Sequence, residues 1–421
     1  MDFTPTEAQA EARDLAARIF GDLATHERLR AAGTGSDPEL FKALCTAGLV
    51  GAVTELGLLG LVLLLEEQGR TTAQVPYAAT CVYGLLAVAS HGTPEQRERL
   101  LPGIEDGSVV VAGALPAQGG VRAAARGGLT GSVPVVPWLR DATHVLVADA
   151  DRQLWLAPLG EGTGITPVEL TAPWSAARLT LDRAPAEPLG PVAKVPPARR
   201  RPARSPKLFE QGVPPLAAPG TSPSTSSTWA APGTPPSSAS RGYPQSTHRT
   251  PPGPPFGRTT GLSRQALGGP GTDACADVLA TARTAFAGLQ AGVCAGSLAR
   301  AVAHTNTREQ FGRPLATRQA VQLRAADAHM DTEAIRVTAY EAAWRRDAGL
   351  PYATHALTAA WWASEAGQRV VHTGQHLHGG AGADLDHPVH RHFLWGRQLD
   401  AHLGCGAEVL QELGELIAHG E

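Results

Sequence analysis

Long stretches without a helix breaker dominate the last third of this chain and constrain its fold more than any other feature. The run ATRQAVQLRAADAHMDTEAIRVTAYEAAWRRDAG lasts about nine turns before Gly349, Leu350 and Pro351 stop it. Ahead of it lies DVLATARTAFAGLQAGVCAGSLARAVAHTNTREQ, which is rich in alanine and other small residues that allow helices to pack closely. Two further helical runs, ATHALTAAWWASEAGQRVVHTGQHL and GAEVLQELGELIAHG, follow. The pattern therefore predicts a four-helix bundle over residues 271–421.

The first 190 residues change character once. Residues 1–105 are helical in pattern, with a start signal in which Thr4 caps a helix that has Pro5 first, and with an all-round apolar run, LGLLGLVLLL, typical of a buried core helix. From Ser108 the segments SVVVAGAL, THVLVADA and RQLWLAPL are short and β-branched or alternating, separated by Gly, Asp and Pro. We predict an N-terminal helical domain at 1–105 and a small antiparallel β-domain at 106–190. The fold class is then α+β, mainly α.

Residues 191–270 fit neither pattern. They contain about half of the chain's 34 prolines, ten basic side chains and one acidic one, a net charge of +9 in a chain whose total is -3. Such a segment buries too little apolar surface to offset the entropy of ordering it, so we predict a disordered linker. Two other interpretations are a basic element that touches nucleic acid and a misread or recently inserted coding segment.

Bulk composition excludes several classes of protein. The net charge of -3 argues against a nucleic-acid-binding protein as a whole. The five cysteines are scattered, without a CxxC pair, which indicates reduced thiols and a cytoplasmic location. The start MDFTPTEAQAEARD is not a signal peptide, and the longest apolar run is too short to span a bilayer. We therefore expect no membrane partner.

One motif, QHLHGGAGADLDHPVHRHF at residues 375–393, places five histidines around a Gly-Gly pair. Its spacing allows a metal site, a nucleotide-binding turn or the end of a helix. No acidic residue or cysteine stands at a metal-ligand spacing around His387 and His390, so we predict no metal. His376 and His378 are two residues apart and point to different sides of a helix.

Three phrases in order resemble the acyl-CoA dehydrogenases: HGTPEQRERLLPGIEDG, TREQFGRPLATRQAVQLRAADA and the histidine motif. The resemblance extends over everything except residues 191–270. It implies the three-part fold predicted above, a bound FAD, assembly into homo- or hetero-oligomers and electron-transfer flavoprotein as the acceptor. The implied reaction is the α,β-dehydrogenation of an acyl-CoA thioester.

The resemblance also implies roles for particular residues. Arg308 matches the arginine that reaches the FAD pyrophosphate, and Phe311 matches the aromatic residue beside the adenine half. The remaining cofactor matches are Gln319, Gly379, Gly380 and His376, the last standing where glutamine is usual. The Gly-Gly turn serves the flavin of a neighbouring subunit in the family. Arg283 matches an arginine near the substrate pocket, although an ion-pair or capping role is equally compatible with its sequence context.

Two departures from the family matter for function. The catalytic glutamate of the family aligns with Gly404, and its alternative position aligns with Ala282, so neither position offers a base. Asp400 and Glu408, one turn to either side of Gly404, are conceivable substitutes, although each is also expected as a solvated helix residue.

The second departure lies in the phrases that contact the flavin ring. Val135 and Pro137 stand at the family's Trp and Thr positions, and Trp138 is displaced. Pro137 has no N–H to donate. These departures resemble subunits of the heteromeric acyl-CoA dehydrogenases of actinobacteria, in which two unlike chains share one flavin site. We therefore expect a partner to supply the base. The competing hypotheses are an inactive structural or binding subunit and a binding protein that uses its basic segment.

Overall fold

The computed structural model describes residues 3–115, 120–124, 128–190 and 273–419. The predicted disordered insert at 191–270 lies outside the described residues. The amino-terminal helices are α1 (Glu7–Leu23), α2 (His26–Ala32), α3 (Pro38–Thr46), α4 (Val53–Thr71), α5 (Tyr77–Ala79), α6 (Ala87–His91) and α7 (Pro94–Asp106), with a π-helical segment, Thr80–Leu86, between α5 and α6.

Helix α1 begins two residues later than predicted. Thr6, not Thr4, is the capping residue, because its hydroxyl accepts from the backbone N–H of Gln9 while the Gln9 side chain accepts from the backbone N–H of Thr6. Helix α4 is the buried core helix that its apolar run predicts. It is kinked at Gly57, and Asp347 accepts the freed backbone N–H groups of Leu58 and Leu59.

The middle segment forms two four-stranded sheets. Its strands are β1 (Val111–Ala114), β2 (Val121–Ala123), β3 (Leu129–Val136), β4 (His144–Ala148), β5 (Leu154–Pro158), β6 (Thr163–Pro167), β7 (Ala177–Ala184) and β8 (Glu187–Pro188). The strand orders are β1-β4-β5-β8 and β2-β3-β7-β6. Pairing is antiparallel, with Ser132 opposite Thr180, except that β1 and β4 are parallel. The sequence patterns predicted antiparallel pairing throughout and did not reveal that β1 and β4 are parallel.

The carboxy-terminal elements are α8 (Ala274–Thr307), β9 (Glu309–Gln310), β10 (Arg313–Pro314), α9 (Gln319–Asp347), α10 (Ala353–His378), α11 (Pro388–Asp400) and α12 (Gly406–His419). Helix α8 lies at the centre, packed against α4, α9 and α10. By length and composition α8 could cross a membrane, but 72% of its most apolar window is buried inside the protein, as in the core helix of a bundle.

Two apolar cores hold these parts together. One lies between the two sheets, around Val121, Val145 and Leu179. The other joins the amino-terminal helices to the bundle, and it also takes in Trp138 and Trp174 from the middle segment. The predicted α+β, mainly α fold class is confirmed, and the two tryptophans pack on the bundle rather than within the sheets.

Candidate functional site

A cavity of about 540 Å³ opens where the end of α8 meets the end of α10. Its volume is within the range of pockets that bind small molecules and cofactors. The side of α8 contributes His304, Thr305 and Arg308; the following hairpin and α9 contribute Gln310, Leu315 and Val321; and residues 376–381 close the other side. The lining contains no acidic residue. Such a cavity favours an anionic ligand.

The Gly-Gly turn forms one wall of this cavity. Helix α10 ends at His378, and Gly379 has φ +63°, a left-handed conformation that favours glycine. A Cβ at Gly379 or Gly380 would meet no atom within 4 Å, so this backbone faces open space that a ligand can approach. Gly382 is needed for a different reason, because a Cβ there would lie 2.4 Å from the carbonyl oxygen of Gln375. This turn is thus shaped for close approach of a ligand to the backbone.

Arg308 supplies the cation of the cavity. It follows α8 directly, and its backbone N–H donates to the carbonyl of His304 at 2.8 Å. Across the described ranges its guanidinium has neither a hydrogen bond nor an ion pair. An exposed arginine held by its backbone, with an unpaired guanidinium, can bind a phosphate without first breaking a salt bridge.

Histidines surround the arginine. The rings of His304 and His378 stack with centroids 4.6 Å apart, and His387 meets His378 edge-on at 4.9 Å. Burial, the nearby His378 ring and the Arg308 guanidinium lower the pKa of His304. Among the residues that the structure describes, no group of three or more His, Cys, Asp or Glu side chains can hold a metal ion. His304 and His378 therefore form a polar wall of the cavity, and His387 packs against His378.

Phe311 and Gln319 lie outside the cavity wall. Phe311 and Gly312 form the two-residue turn between β9 and β10, and Phe311 has φ +54° and 90% of its surface exposed. A phenylalanine in this conformation is strained, which is a common sign of function. The guanidinium of Arg318 lies 5.0 Å from its ring centroid. Gln319 is exposed at the first position of α9.

A second region, between the sheets and the bundle, is closed. We call Trp138, Trp174, Phe286, Trp395 and His402 the aromatic cluster. Trp138 and Trp174 are each 1% exposed and stack at 4.6 Å with an 18° tilt, and the backbone N–H of Trp138 donates to the carbonyl of Trp174 at 2.7 Å. His402 meets Phe286 edge-on at 4.5 Å. The crevice next to Val135 and Pro137 is thus filled with side chains.

Several polar atoms of the aromatic cluster have no partner in the protein. The indole N–H groups of Trp138, Trp174 and Trp395 and the Nε2 atom of His402 are buried without a hydrogen bond to another described residue. Burial lowers the pKa of His402 to about 4, so its ring is neutral at physiological pH. Each unpaired buried polar atom costs free energy, which the packing of the surrounding side chains must offset.

Both base positions of the family lie beside this cluster. Ala282 is fully buried on α8, and a Cβ at Gly404 would lie 3.9 Å from Nη2 of Arg283. Arg283 is 7% exposed and donates from both terminal nitrogens to Glu412, at 2.8 and 2.7 Å. Gly404 therefore lies close to a guanidinium that is already paired with a carboxylate which the sequence did not reveal. Of the two roles open to Arg283, the structure displays the ion pair.

The two substitute bases have structural contacts. Asp400, expected as a solvated residue, is instead largely buried: it accepts from the hydroxyl of Ser364 at 2.5 Å and pairs with Arg397 at 3.1 Å. Glu408 is exposed and accepts from the backbone N–H of Cys405 at 3.2 Å, which caps the start of α12. Both carboxylates therefore already have partners within this chain.

Four residues were missed by sequence reasoning: His304, Gly382, Glu412 and Trp174. His304 had a detectable signal, because it precedes Arg308 by only four residues at the end of α8. Gly382 could have been identified because it closely follows the Gly-Gly pair in GGAG. Glu412 and Trp174 had none, since their partners Arg283 and Trp138 lie far away in sequence.

The residues present fit one half of an FAD and not the other. The open cavity, with an unpaired guanidinium and a Cβ-free turn, suits a diphosphate and its adjoining nucleoside. Next to Pro137, which offers no N–H, Trp138 and Trp174 are stacked and buried and leave no open space for a ring system.

Comparison with known proteins finds family profiles over most of the described chain. The profile of the acyl-CoA dehydrogenase N-terminal domain matches residues 6–108, and that of the acyl-CoA dehydrogenase C-terminal domain matches residues 269–407. The acyl-CoA dehydrogenase FadE27 of Mycobacterium tuberculosis is 29% identical, with 99% of each chain covered.

Two solved structures are similar over nearly the whole chain. The Tcur3481-Tcur3483 steroid ACAD, in its G363A variant, is 35% identical with a TM-score of 0.76, covering 98% of each chain. The ChsE4-ChsE5 complex of Mycobacterium tuberculosis is 26% identical with a TM-score of 0.75, covering 100% of each chain. Both structures contain two differently named chains.

Proposed function

Because this chain belongs to the acyl-CoA dehydrogenase family, we propose that it is a flavoprotein subunit that dehydrogenates an acyl-CoA thioester together with a second, acyl-CoA dehydrogenase-like chain. The observation that carries the proposal is a contrast. The cavity at Arg308 is open and cationic, whereas the crevice at Trp138 and Trp174 is filled. The chain is thus equipped to complete a flavin site elsewhere and not to house one.

The steps of the proposed reaction are divided between the two chains. FAD, when bound, accepts the hydride from the β-carbon, and a carboxylate must remove the α-proton. Gly404 and Ala282 offer no carboxylate, and both oxygens of Glu412 are occupied by Arg283. The partner chain supplies the base and the face that receives the flavin ring.

The contribution of this chain is to bind the other end of the cofactor. Arg308 and the Gly379–Gly380 turn bind the diphosphate, His376 donates to it from the end of α10, and Phe311 lies against the adenine. Gln319, which is exposed at the start of α9, contacts the same nucleotide across the subunit interface. An exposed, strained Phe311 supports this arrangement, because a second chain can cover it.

The substrate and acceptor follow from the relatives. The 35% identity to a steroid ACAD over 98% of the chain supports a steroid-derived acyl-CoA as the substrate class. Electron-transfer flavoprotein is the proposed acceptor. We place the reaction in the cytoplasm, where the free thiols of this chain would stay reduced.

The test is to purify the chain alone and together with a co-encoded homologue that carries the family glutamate. We expect a yellow, active hetero-oligomer, and from the chain alone a rate lower by roughly 100- to 10,000-fold, the usual contribution of a general base. Bound flavin is measured by absorbance, and turnover by reduction of an artificial electron acceptor.

Two outcomes would contradict the proposal. Robust dehydrogenation by the chain alone would bring Asp400, Glu408 and Glu412 forward as bases. A hetero-oligomer whose flavin content and activity do not respond to Arg308→Ala would favour the alternative, a structural subunit with no part in catalysis.

A further inference from the structure

Under the proposed function, the cavity has fewer positive charges than its ligand has negative ones. A diphosphate that is esterified at both ends carries two negative charges. Arg308 is the only arginine or lysine among the residues that line the cavity, and none of the lining residues is acidic. A second positive charge from another lining residue would help to neutralise the diphosphate, since an unpaired charge in a partly enclosed site is costly.

The stacked pair His304 and His378 is placed to provide it. His304 lies four residues before Arg308, which directly follows α8, and both residues line the cavity. Its ring lies 4.6 Å from that of His378, centroid to centroid. The two rings share a wall with the Gly379–Gly380 turn, where the phosphates are expected.

The tautomer of His378 is fixed by its neighbour. Its Nδ1 lies 2.7 Å from the carbonyl oxygen of Gly374. Because a carbonyl can only accept, Nδ1 carries the hydrogen, which leaves the lone pair of the neutral ring on Nε2. In the described ranges Nε2 has no hydrogen-bond partner, so it is available to a proton and then to a phosphate oxygen.

The other charged and titratable groups around the pair come from three directions. Arg300 and Arg308 lie on the α8 side, His376 on α10, and Asp384 and His387 on the segment that leads into α11. Burial is the main cause that lowers the pKa of both His304 and His387, and the neighbouring positive groups lower it further. Asp384 alone acts in the opposite direction, on His387. Without an anion, the neutral forms of His304 and His387 are therefore favoured.

We propose that the stacked rings of His304 and His378 belong to the phosphate-binding surface and together take up one proton when a diphosphate diester binds. The proposal rests on the proposed function. It assigns His304 a role in cofactor binding and makes binding depend on pH. Since binding and protonation are linked, affinity rises as pH falls, by at most tenfold per pH unit for one proton.

The test uses ADP-ribose and the full chain. ADP-ribose carries the diphosphate diester and the adenosine but has no phosphate group that titrates near neutral pH. Calorimetric titrations at pH 7.5 in two buffers of different ionisation enthalpy count the protons taken up. We expect between one half and one proton per ADP-ribose, and an affinity about tenfold higher at pH 6 than at pH 8.

Single substitutions test whether the proton is bound by His304 and His378 or by other groups. His304→Phe keeps a stacked ring but cannot bind a proton, so it should abolish proton uptake and flatten the pH profile; His378→Phe provides a second arm if the first variant folds poorly. His372→Phe, an exposed histidine on the same helix outside the cavity, should behave like the natural chain.

The outcomes also distinguish this inference from the proposed function. Binding of ADP-ribose that is lost in Arg308→Ala, yet shows no proton uptake and no pH dependence, would overturn the histidine inference alone. Failure of the natural chain to bind ADP-ribose at millimolar concentration would overturn both.

Discussion

The two ends of α8 are built in opposite ways. Near its start, Ala282 is buried and Phe286 packs against stacked indoles. Near its end, about 33 Å away by the rise of a helix, His304 and Arg308 face an open cavity with an unpaired cation. This difference teaches that one long helix can contribute to a tightly packed core and to an open, ligand-sized cavity independently. Substitutions at one end should leave the other unaffected.

Removing an indole from the closed end should have the largest effect. Trp174→Ala deletes a side chain that is 1% exposed and stacked on Trp138, and we expect it to lower the free energy of unfolding by about 3–5 kcal/mol. Denaturant titration followed by circular dichroism measures this. Trp361→Ala, at a half-buried tryptophan of α10, is the control and should cost clearly less. A loss below about 1 kcal/mol at Trp174 would mean that the crevice is not tightly packed. Binding of ADP-ribose should be unchanged in either variant.

Removing the cation from the open end should affect binding and not stability. Arg308→Ala deletes an unpaired, exposed guanidinium, so the midpoint of unfolding should stay constant. In the hetero-oligomer, flavin should be held more weakly by about 1.5–3 kcal/mol, or roughly 10- to 150-fold, the usual value of a charge-assisted bond to phosphate. The measurement is the dissociation constant of FAD after resolution of the cofactor. Arg324→Ala, an exposed arginine on α9, is the matched control, and an equal loss there would show that the effect is only long-range charge.

The closed end should also be acid-sensitive. The pKa of His402 is about 4 in the folded chain, whereas an unfolded chain binds the proton near 6.5. The unfolded state therefore takes up the proton first as pH falls, and stability is lost between pH 6.5 and 4, by about 2 kcal/mol at pH 5 from this residue. His392, with a pKa also lowered by burial to about 4, adds a similar contribution. In His402→Phe the loss of stability between pH 8 and pH 5 should shrink by His402's share; an unchanged loss would show that other groups cause it.

Restoring the missing carboxylate should achieve the least. Gly404 has φ +105°, and a Cβ there would lie 3.2 Å from Cγ2 of Val409, so Gly404→Glu should cost about 1–2 kcal/mol of stability. It should add no measurable dehydrogenation to the chain alone, because the flavin face remains filled. Gly404→Ala separates backbone strain from the new charge. Acyl-CoA turnover by Gly404→Glu in the absence of a partner would show that the crevice opens more easily than its packing suggests.

Local signals explain which parts of the fold the sequence could predict. The long helices α8, α9 and α10 were predictable because Gly349 and Pro351 interrupt an otherwise continuous helical pattern. The cap of α1 was misplaced by two residues because Thr4 and Thr6 both suit an N-cap, and only the reciprocal bonds with Gln9 decide between them. The parallel pairing of β1 with β4 has no local signature, since parallel and antiparallel strands alternate in the same way.

The site residues also differ in whether a local sequence signal could place them. Arg308 and the Gly-Gly turn could be placed because their motif is contiguous. Trp174 could not, because APWSA does not reveal which of two cores its indole joins. Glu412 meets Arg283 only after α12 folds back onto the bundle, 129 residues further along the chain. Contacts that depend on chain closure leave no local pattern, and the closed end consists largely of such contacts.

Phe311 has a consequence for the life of the subunit. Its ring is 90% exposed at the tip of a hairpin whose backbone it strains, so a copy without its partner presents a hydrophobic anchor to the solvent. Exposed anchors of this kind promote non-specific association and are recognised by chaperones and proteases. In the proposed hetero-oligomer, surplus copies of this chain would then be cleared faster than assembled ones.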